Sequence, residues 1–238
     1  MQPGKVAFVM DAPDLFSQMA LDLHAEPTSA DTVEKIVQYA RLATTCDESG
    51  ILLVHSRHRV ETAAATAPLV SAAHDLQIRF DEGPCLDAID GAGTYVVGET
   101  ATDERWPQWG PAVAELGIHS ALGVRLATRN RRYGSLNFYG RRPGMFSDED
   151  VAVAEAFARH AAVAFANTRE EEGLITAIDA RKVIGQAQGI VMERYGLDTD
   201  RAFEFLRRLS QQDNIKLRAV AERIVHQHEN DIRRPHEA

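Results

Sequence analysis

The chain lacks most of the residues that would commit it to a special class. It has two cysteines, Cys46 and Cys85, in 238 residues, too few for a disulfide scaffold, and their expected state is two reduced thiols. No apolar run approaches the length of a bilayer span. The early run Val6 to Met10 is too short for a signal-peptide core, so the expected location is cytoplasmic, with no membrane partner. Nine prolines and 16 glycines are too few for a collagen-like or low-complexity chain. His55, His58, His74 and His119 share no metal-ligand spacing, and no metal site is expected. A phosphate-cradling glycine loop and a GxSxG nucleophile elbow are both missing. The residues therefore nominate no catalytic group, and the expectation is a protein that is not an enzyme.

What is present is an ordinary globule: 45% hydrophobic and 26% charged residues, enough apolar side chains for more than one core. The net charge of -9 would ordinarily argue against nucleic acid, whose phosphates need a positive surface. Its distribution is uneven. Through residue 172 there are 15 basic against 25 acidic residues, and after it 11 against 10. The acid belongs to the first part, and the two parts are suited to different partners.

Periodicity divides the chain in the same way. Leu15, Phe16, Met19 and Leu23 fall at helical spacing before Pro27, and Val33, Ile36, Val37 and Ala40 form a second helical stripe, with Asp31 as its expected cap. Ile51 to Val54 is an apolar run of strand length, and Thr94 to Val97 is a shorter one. From His119 to Thr128, Leu122, Val124 and Leu126 alternate, predicting a strand with one buried side. Tyr133 to Tyr139 pairs with it as a hairpin, Leu136 and Phe138 sharing a face. Helices mixed with strands predict an α+β sheet domain. After Pro143-Gly144, Ser147 and Asp150 resemble a capping box, and everything beyond is helical. One seam runs Val151, Ala154, Ala158, Ala161, Phe165 and Thr168; a second runs Ala177, Ala180, Ile184, Ala187 and Val191. The nine residues between Thr168 and Ala177 put the seams out of phase, which predicts a bent, frayed or rotated junction at Asn167 to Gly173. Gly196 stops the next helix, Asp198 caps another and Asn214 a last one. The expected organisation is an N-terminal segment with a short helix over 1–30, a sensor domain over 31–168, a helical linker over 169–173, a three-helix domain over 174–230 and a tail over 231–238.

Two segments carry a family resemblance. Asp81 to Leu86 (DEGPCL), Arg105-Trp106-Pro107 and Gly134 to Gly140 (GSLNFYG), in this order, resemble the GAF domains of actinobacterial regulators. The resemblance implies a five- or six-stranded sheet with helices on one face and, in many members, a small-molecule ligand. Ala180 to Val225 closely resembles the ANTAR domain, a three-helix module that binds paired RNA hairpins in leader transcripts and prevents terminator formation. The family's small pair falls on Ala187 and Gly189, its methionine on Met192, its Ala-Phe pair on Ala202 and Phe203, its Leu-Arg-Arg run on Leu206 to Arg208 and its late Val-Ala pair on Val220 and Ala221. Gln188 replaces a frequent lysine, and Ser210-Gln211 a frequent Ala-Met. The fold expected is a GAF-like α+β sheet domain and an all-α three-helix ANTAR domain, joined by a long helix. The function implied is signal-responsive RNA binding as a homodimer.

A surface that reads structured RNA needs Lys or Arg beside small residues that permit close approach. The first helix of the segment offers Lys182, Ala187, Gln188, Gly189 and Arg194, the second Arg207 and Arg208, and the third Lys216 and Arg218. Taken from the residues alone, the favoured reading is that the small side chains only allow tight helix packing and the arginines solvate a surface; the ANTAR resemblance reverses that order. Two other functions compete: a cysteine-based redox enzyme or thiol sensor using Cys85, with Cys46 as resolving partner, and a DNA-binding regulator using Phe203 to Val225 as a helix-turn-helix. The turn of the latter lacks glycine, and its net charge is low for duplex DNA.

Overall fold

A computed structural model describes residues 12–55, 59–91 and 93–233; His58, the run Val6 to Met10 and the residues after Arg233 lie outside them. The chain divides into two compact units, the second beginning at Glu171.

The first unit opens with α1 (Ala12–His24) and α2 (Ser29–Ala43). The cap of α2 is Thr28, not Asp31: Thr28 Oγ1 accepts the Asp31 N–H at 3.1 Å, so Asp31 occupies the third helical position, where its charge favours the helix dipole. Then come β1 (Glu48–Val54), β2 (Val60–Ala65), α3 (Pro68–Phe80), α4 (Pro84–Asp90), β3 (Tyr95–Val97), α5 (Trp109–Glu115), β4 (Ser120–Ala127) and β5 (Arg132–Gly140). The five strands form one antiparallel sheet in the order β2-β1-β5-β4-β3. β2 is the strand the periodicity did not show, because its sequence VETAAA lacks an apolar alternation.

Register sets up two different faces. Leu122 opposite Phe138 and Val124 opposite Leu136 join Ile51 and Leu53 beneath Ile36, Val37, Phe157 and Phe165, all buried. The other face carries Leu52, Val97, Ala121 and Tyr139 beneath Trp106, Trp109 and Val113. Helices therefore cover both faces, which corrects the expectation of helices on one face and of a β4 with one buried side. The aliphatic face alternates visibly, whereas the opposite face of β4 and β5 uses Ala121, Gly123, Ser135 and Asn137, which read as polar or neutral. Gly123 is fixed by packing: a Cβ there would lie 2.7 Å from the Pro84 carbonyl oxygen of α4.

α6 (Asp148–Tyr195) starts at the expected box, with Ser147 N–H donating to Asp150 Oδ2 at 3.0 Å and Asp150 N–H to Ser147 Oγ at 3.2 Å. It is one uninterrupted helix, so the expected bend or fraying at Asn167 to Gly173 does not occur. Ala154, Ala158, Ala161, Phe165 and Thr168 are buried in the first unit, and Ala187 and Val191 in the second. A continuous helix accommodates out-of-phase seams when each serves its own core.

The second unit comprises the end of α6, α7 (Thr199–Gln212) and α8 (Leu217–Arg233). Ala187, Val191, Ala202, Leu206, Val220 and Ala221 form its buried core. Gly196 ends α6 with φ 64°, and Leu197 N–H returns to Met192 C=O at 3.2 Å, a Schellman closure that suits a residue without Cβ. Asp198 caps α7, accepting Arg201 N–H at 2.8 Å. Asn214 does not cap α8. Its φ of 51° places it in the left-handed turn after α7, a conformation that asparagine tolerates, and the first turn of α8 closes on the Lys216 carbonyl instead.

Candidate nucleic-acid interface

The nine nominated residues of the second unit have distinct positions. Ala187 is fully buried among the three helices; it lets them approach and cannot touch RNA, a correction to its nomination as a contact. Gly189 is exposed, and a Cβ there would meet nothing within 4 Å. It lies in a groove between α6 and α8 with Gly185, Ile190, Glu193, Val225 and Glu229. Gln188 donates from Nε2 to Thr199 C=O at 2.7 Å, tying α6 to the first turn of α7; its position therefore serves the helix junction. Several cations are paired: Arg194 with Asp231 at 3.4 Å, Arg207 with Glu204 at 2.9 Å and Arg218 with Glu222 at 2.7 Å. All three pairs are solvent-exposed and give way readily to a stronger anion. Lys182, Arg208 and Lys216 are exposed and have no carboxylate partner among the described residues. Arg208 looks into a cavity with Leu197, Asp200, Arg201, Glu204 and Phe205. Charge balance and motif position did not single out Arg201 or Phe205; an aromatic between two arginines about two turns apart was the available signal.

Residues 172–225 match the ANTAR domain family, and residues 26–166 match the GAF domain family. The chain belongs to the GAF–ANTAR regulators. Over 151 residues it is 27% identical to the anaerobic nitric oxide reductase transcription regulator NorR of Aliivibrio fischeri, covering 61% of this chain and 29% of that protein; the chain thus spans less than a third of the length of this curated relative. Two solved structures share the fold. The GAF domain from a Coxiella burnetii phosphoenolpyruvate-protein phosphotransferase is 16% identical, with TM-score 0.56 over 70% of this chain and 99% of that one. The free methionine-R-sulfoxide reductase from Neisseria meningitidis, solved in complex with its substrate, is 19% identical, with TM-score 0.55 over 72% and 96%.

In the GAF unit the motif residues take part in a helix end, buried hydrogen bonds and ring contacts. Asp81 ends α3 at φ 54°, and Glu82 Oε1 accepts the Trp109 N–H at 2.7 Å. Cys85 is buried; its N–H donates to Gln77 Oε1 at 2.9 Å, and its Sγ takes Gln77 Nε2 at 2.8 Å and lies 3.3 Å from Tyr139 Oη. Burial pushes its thiol up to about 12. Cys46, also buried, is pushed up to about 11 by the same cause. The two belong to the cores on opposite faces of the sheet. Arg105 pairs with Asp103 at 2.6 Å and lies 4.3 Å over the Trp106 ring, whose Nε1 donates to Asp87 at 3.0 Å. His74 is buried, with Nδ1 3.0 Å from Thr62 Oγ1 and Nε2 3.1 Å from Asn137 Nδ2. His55 reaches Glu61 at 2.7 Å, and His119 lies 3.7 Å from Glu99. Among the described residues no group of three His, Cys, Asp or Glu could hold a metal ion, and no helix is long and apolar enough to cross a membrane.

Proposed function

We propose that this GAF–ANTAR regulator binds paired hairpins in leader transcripts, as a homodimer in the cytoplasm, and controls transcription termination in response to a signal received by its GAF domain. The observation that carries this reading is the match of residues 172–225 to the ANTAR family. Its charge arrangement agrees. Lys216 and Arg218 stand at the N-terminus of α8, whose first turn contains no acidic residue, where cations oppose the helix dipole at about 0.3–1 kcal/mol each. An RNA phosphate beside them would offset that cost. Homodimerisation is supported by Leu174, Ile175 and Ile178, which are 61%, 54% and 63% exposed on successive turns of α6. Apolar residues at such spacing form the seam of a helix pair. One module per hairpin then requires two copies.

The reading includes no catalysis. Methionine sulfoxide reduction, the activity named for the Neisseria protein, needs an accessible thiolate and a reductant for the oxidised sulfur. The buried, raised thiols of Cys85 and Cys46 are poor sources of one. No small-molecule ligand is assigned to the GAF domain. Gel shifts of the full chain with paired-hairpin RNA and with duplex DNA of the same sequence test the proposal. RNA is expected to bind more tightly, with an affinity that falls steeply with salt. Equal or tighter binding to the duplex would replace it with the DNA-binding reading.

A further inference from the structure

The end of α2, the start of β1 and the residue after β5 line a cavity of about 450 Å³, a volume within the range of small-molecule sites. Cys46 borders it, which places it against the core on the opposite face of the sheet from Cys85. Arg41 and Leu42 come from the last turn of α2, Asp47 and Glu48 from the entry to β1, and Arg141 from just beyond β5. Neighbouring groups fix the two carboxylates. Asp47 N–H donates to Tyr139 C=O at 3.0 Å, and Asp47 Oδ2 accepts the Arg141 N–H at 2.7 Å. Glu48 Oε2 accepts the Thr66 hydroxyl at 2.6 Å. One oxygen of each carboxylate is thus held, and the other, Asp47 Oδ1 or Glu48 Oε1, has no hydrogen bond among the described residues.

The charges of this lining balance in number but are poorly paired. Arg41 Nη1 lies 3.8 Å from Glu48 Oε2, too far for a hydrogen bond, although the Glu48 side chain is only 16% exposed. A carboxylate so far withdrawn from water is stabilised by a closer cation. The Arg141 guanidinium has no partner among the described residues. An anion that enters alone meets two carboxylates, and a cation that enters alone meets two guanidiniums. A ligand that carries both charges on neighbouring atoms finds a complementary group for each. The rest of the lining is uncharged: Gln38 offers an amide, and Leu42, 71% exposed, an apolar surface. Such surroundings suit a side chain without charge.

We propose that this cavity binds a free α-amino acid with a neutral side chain, its carboxylate on Arg41 and Arg141, its ammonium on Asp47 and Glu48, and its side chain along Leu42 and Gln38. The site belongs wholly to the first unit, and its occupancy does not depend on the RNA reading above.

The test is titration calorimetry of the full chain with each standard amino acid in dilute phosphate buffer. At least one amino acid with a neutral side chain is expected to bind, one per chain, with a Kd below about 1 mM. Its N-acetyl derivative and its carboxamide, each lacking one of the two charges, should bind at least about tenfold more weakly. Arg141→Gln and Glu48→Gln should each weaken binding by about tenfold or more. Arg208→Ala, in the other unit, should leave it unchanged. Glu48→Gln keeps an acceptor for Thr66, and the exposed Arg141 side chain has no partner to lose, so both variants should fold. Circular dichroism checks that they do, and Arg141→Gln decides if Glu48→Gln fails. The proposal is overturned if no neutral amino acid binds below about 1 mM, if either derivative binds as tightly as the free amino acid, or if the folded Arg141→Gln protein keeps the parent's affinity.

Discussion

His74 is held between Thr62 and Asn137 with no carboxylate in contact, and burial lowers its pKa from the ordinary 6.5 to about 3. Asn137 Nδ2 donates to Nε2, so the imidazole is neutral with its proton on Nδ1, facing Thr62. Above pH 6.5 neither the folded nor the unfolded chain protonates this ring. Below it the unfolded chain gains a proton that the folded chain refuses until about pH 3, so stability is lost across that interval, at up to roughly 1.4 kcal/mol per pH unit. Asp103 and Asp150, both held below their ordinary 3.8 by hydrogen bonds, lose their contribution only at lower pH. The urea midpoint of the GAF unit should therefore fall between pH 7.5 and pH 5, and His74→Gln should remove most of that fall. An equal fall in the variant would assign it elsewhere. Cys85 gives a second prediction of this scale. Cys85→Ser should leave RNA affinity unchanged, and the native thiol should react with an aromatic disulfide reagent more slowly than a free thiol at neutral pH. Rapid modification, or turnover of methionine sulfoxide, would favour the redox reading.

At the scale of elements, two small residues on α6 that look alike in the sequence have opposite surroundings. Ala187 is sealed in the three-helix core, so Ala187→Leu should overpack it and cost about 1–3 kcal/mol. Gly189 is open; Gly189→Ala should stabilise the helix by about 0.5–1 kcal/mol. If RNA approaches α6 closely at this point, the same change should weaken hairpin binding even as thermal unfolding moves upward. Stabilisation with unaltered affinity would remove Gly189 from the interface. The pair also shows what the sequence carried. Helices, the β4–β5 hairpin and the caps at Ser147 and Asp198 were legible, because apolar period and local hydrogen bonding produce them. Side-chain surroundings were not, since they depend on which helix packs where. The polar face of the sheet escaped for that reason: Ser135 and Asn137 of β5 look like surface residues until α3 and α4 cover them, and Gln77 of α3 looks like one until it turns inward to Cys85. The cavity at α7 escaped as well, its Arg201 and Arg208 about two turns apart and its Phe205 packed against Tyr195 of α6.

For the whole molecule the question is whether α6 carries register or only connects. Its seams at Thr168 and Ala177 are out of phase, and the helix is nonetheless continuous from Asp148 to Tyr195, so a switch made by local bending has no support. A continuous helix can instead transmit rotation, because turning one end turns the other, and the exposed Leu174, Ile175 and Ile178 would fix that rotation against a second copy. A passive connection is the alternative, each seam serving only its own core. Deletions within residues 167–173 separate the two. Removing four residues rotates the downstream half of a straight helix by about 40°, whereas removing all seven rotates it by about 20° in the other sense. If register matters, binding to paired hairpins should fall in the four-residue deletion and persist in the seven-residue one, although the latter shortens the helix more. Sedimentation and circular dichroism would establish that both remain folded and at the parent's oligomeric state. Losses that grow with the number of residues removed would point to reach rather than rotation, and equal binding in the two would make α6 a passive connection.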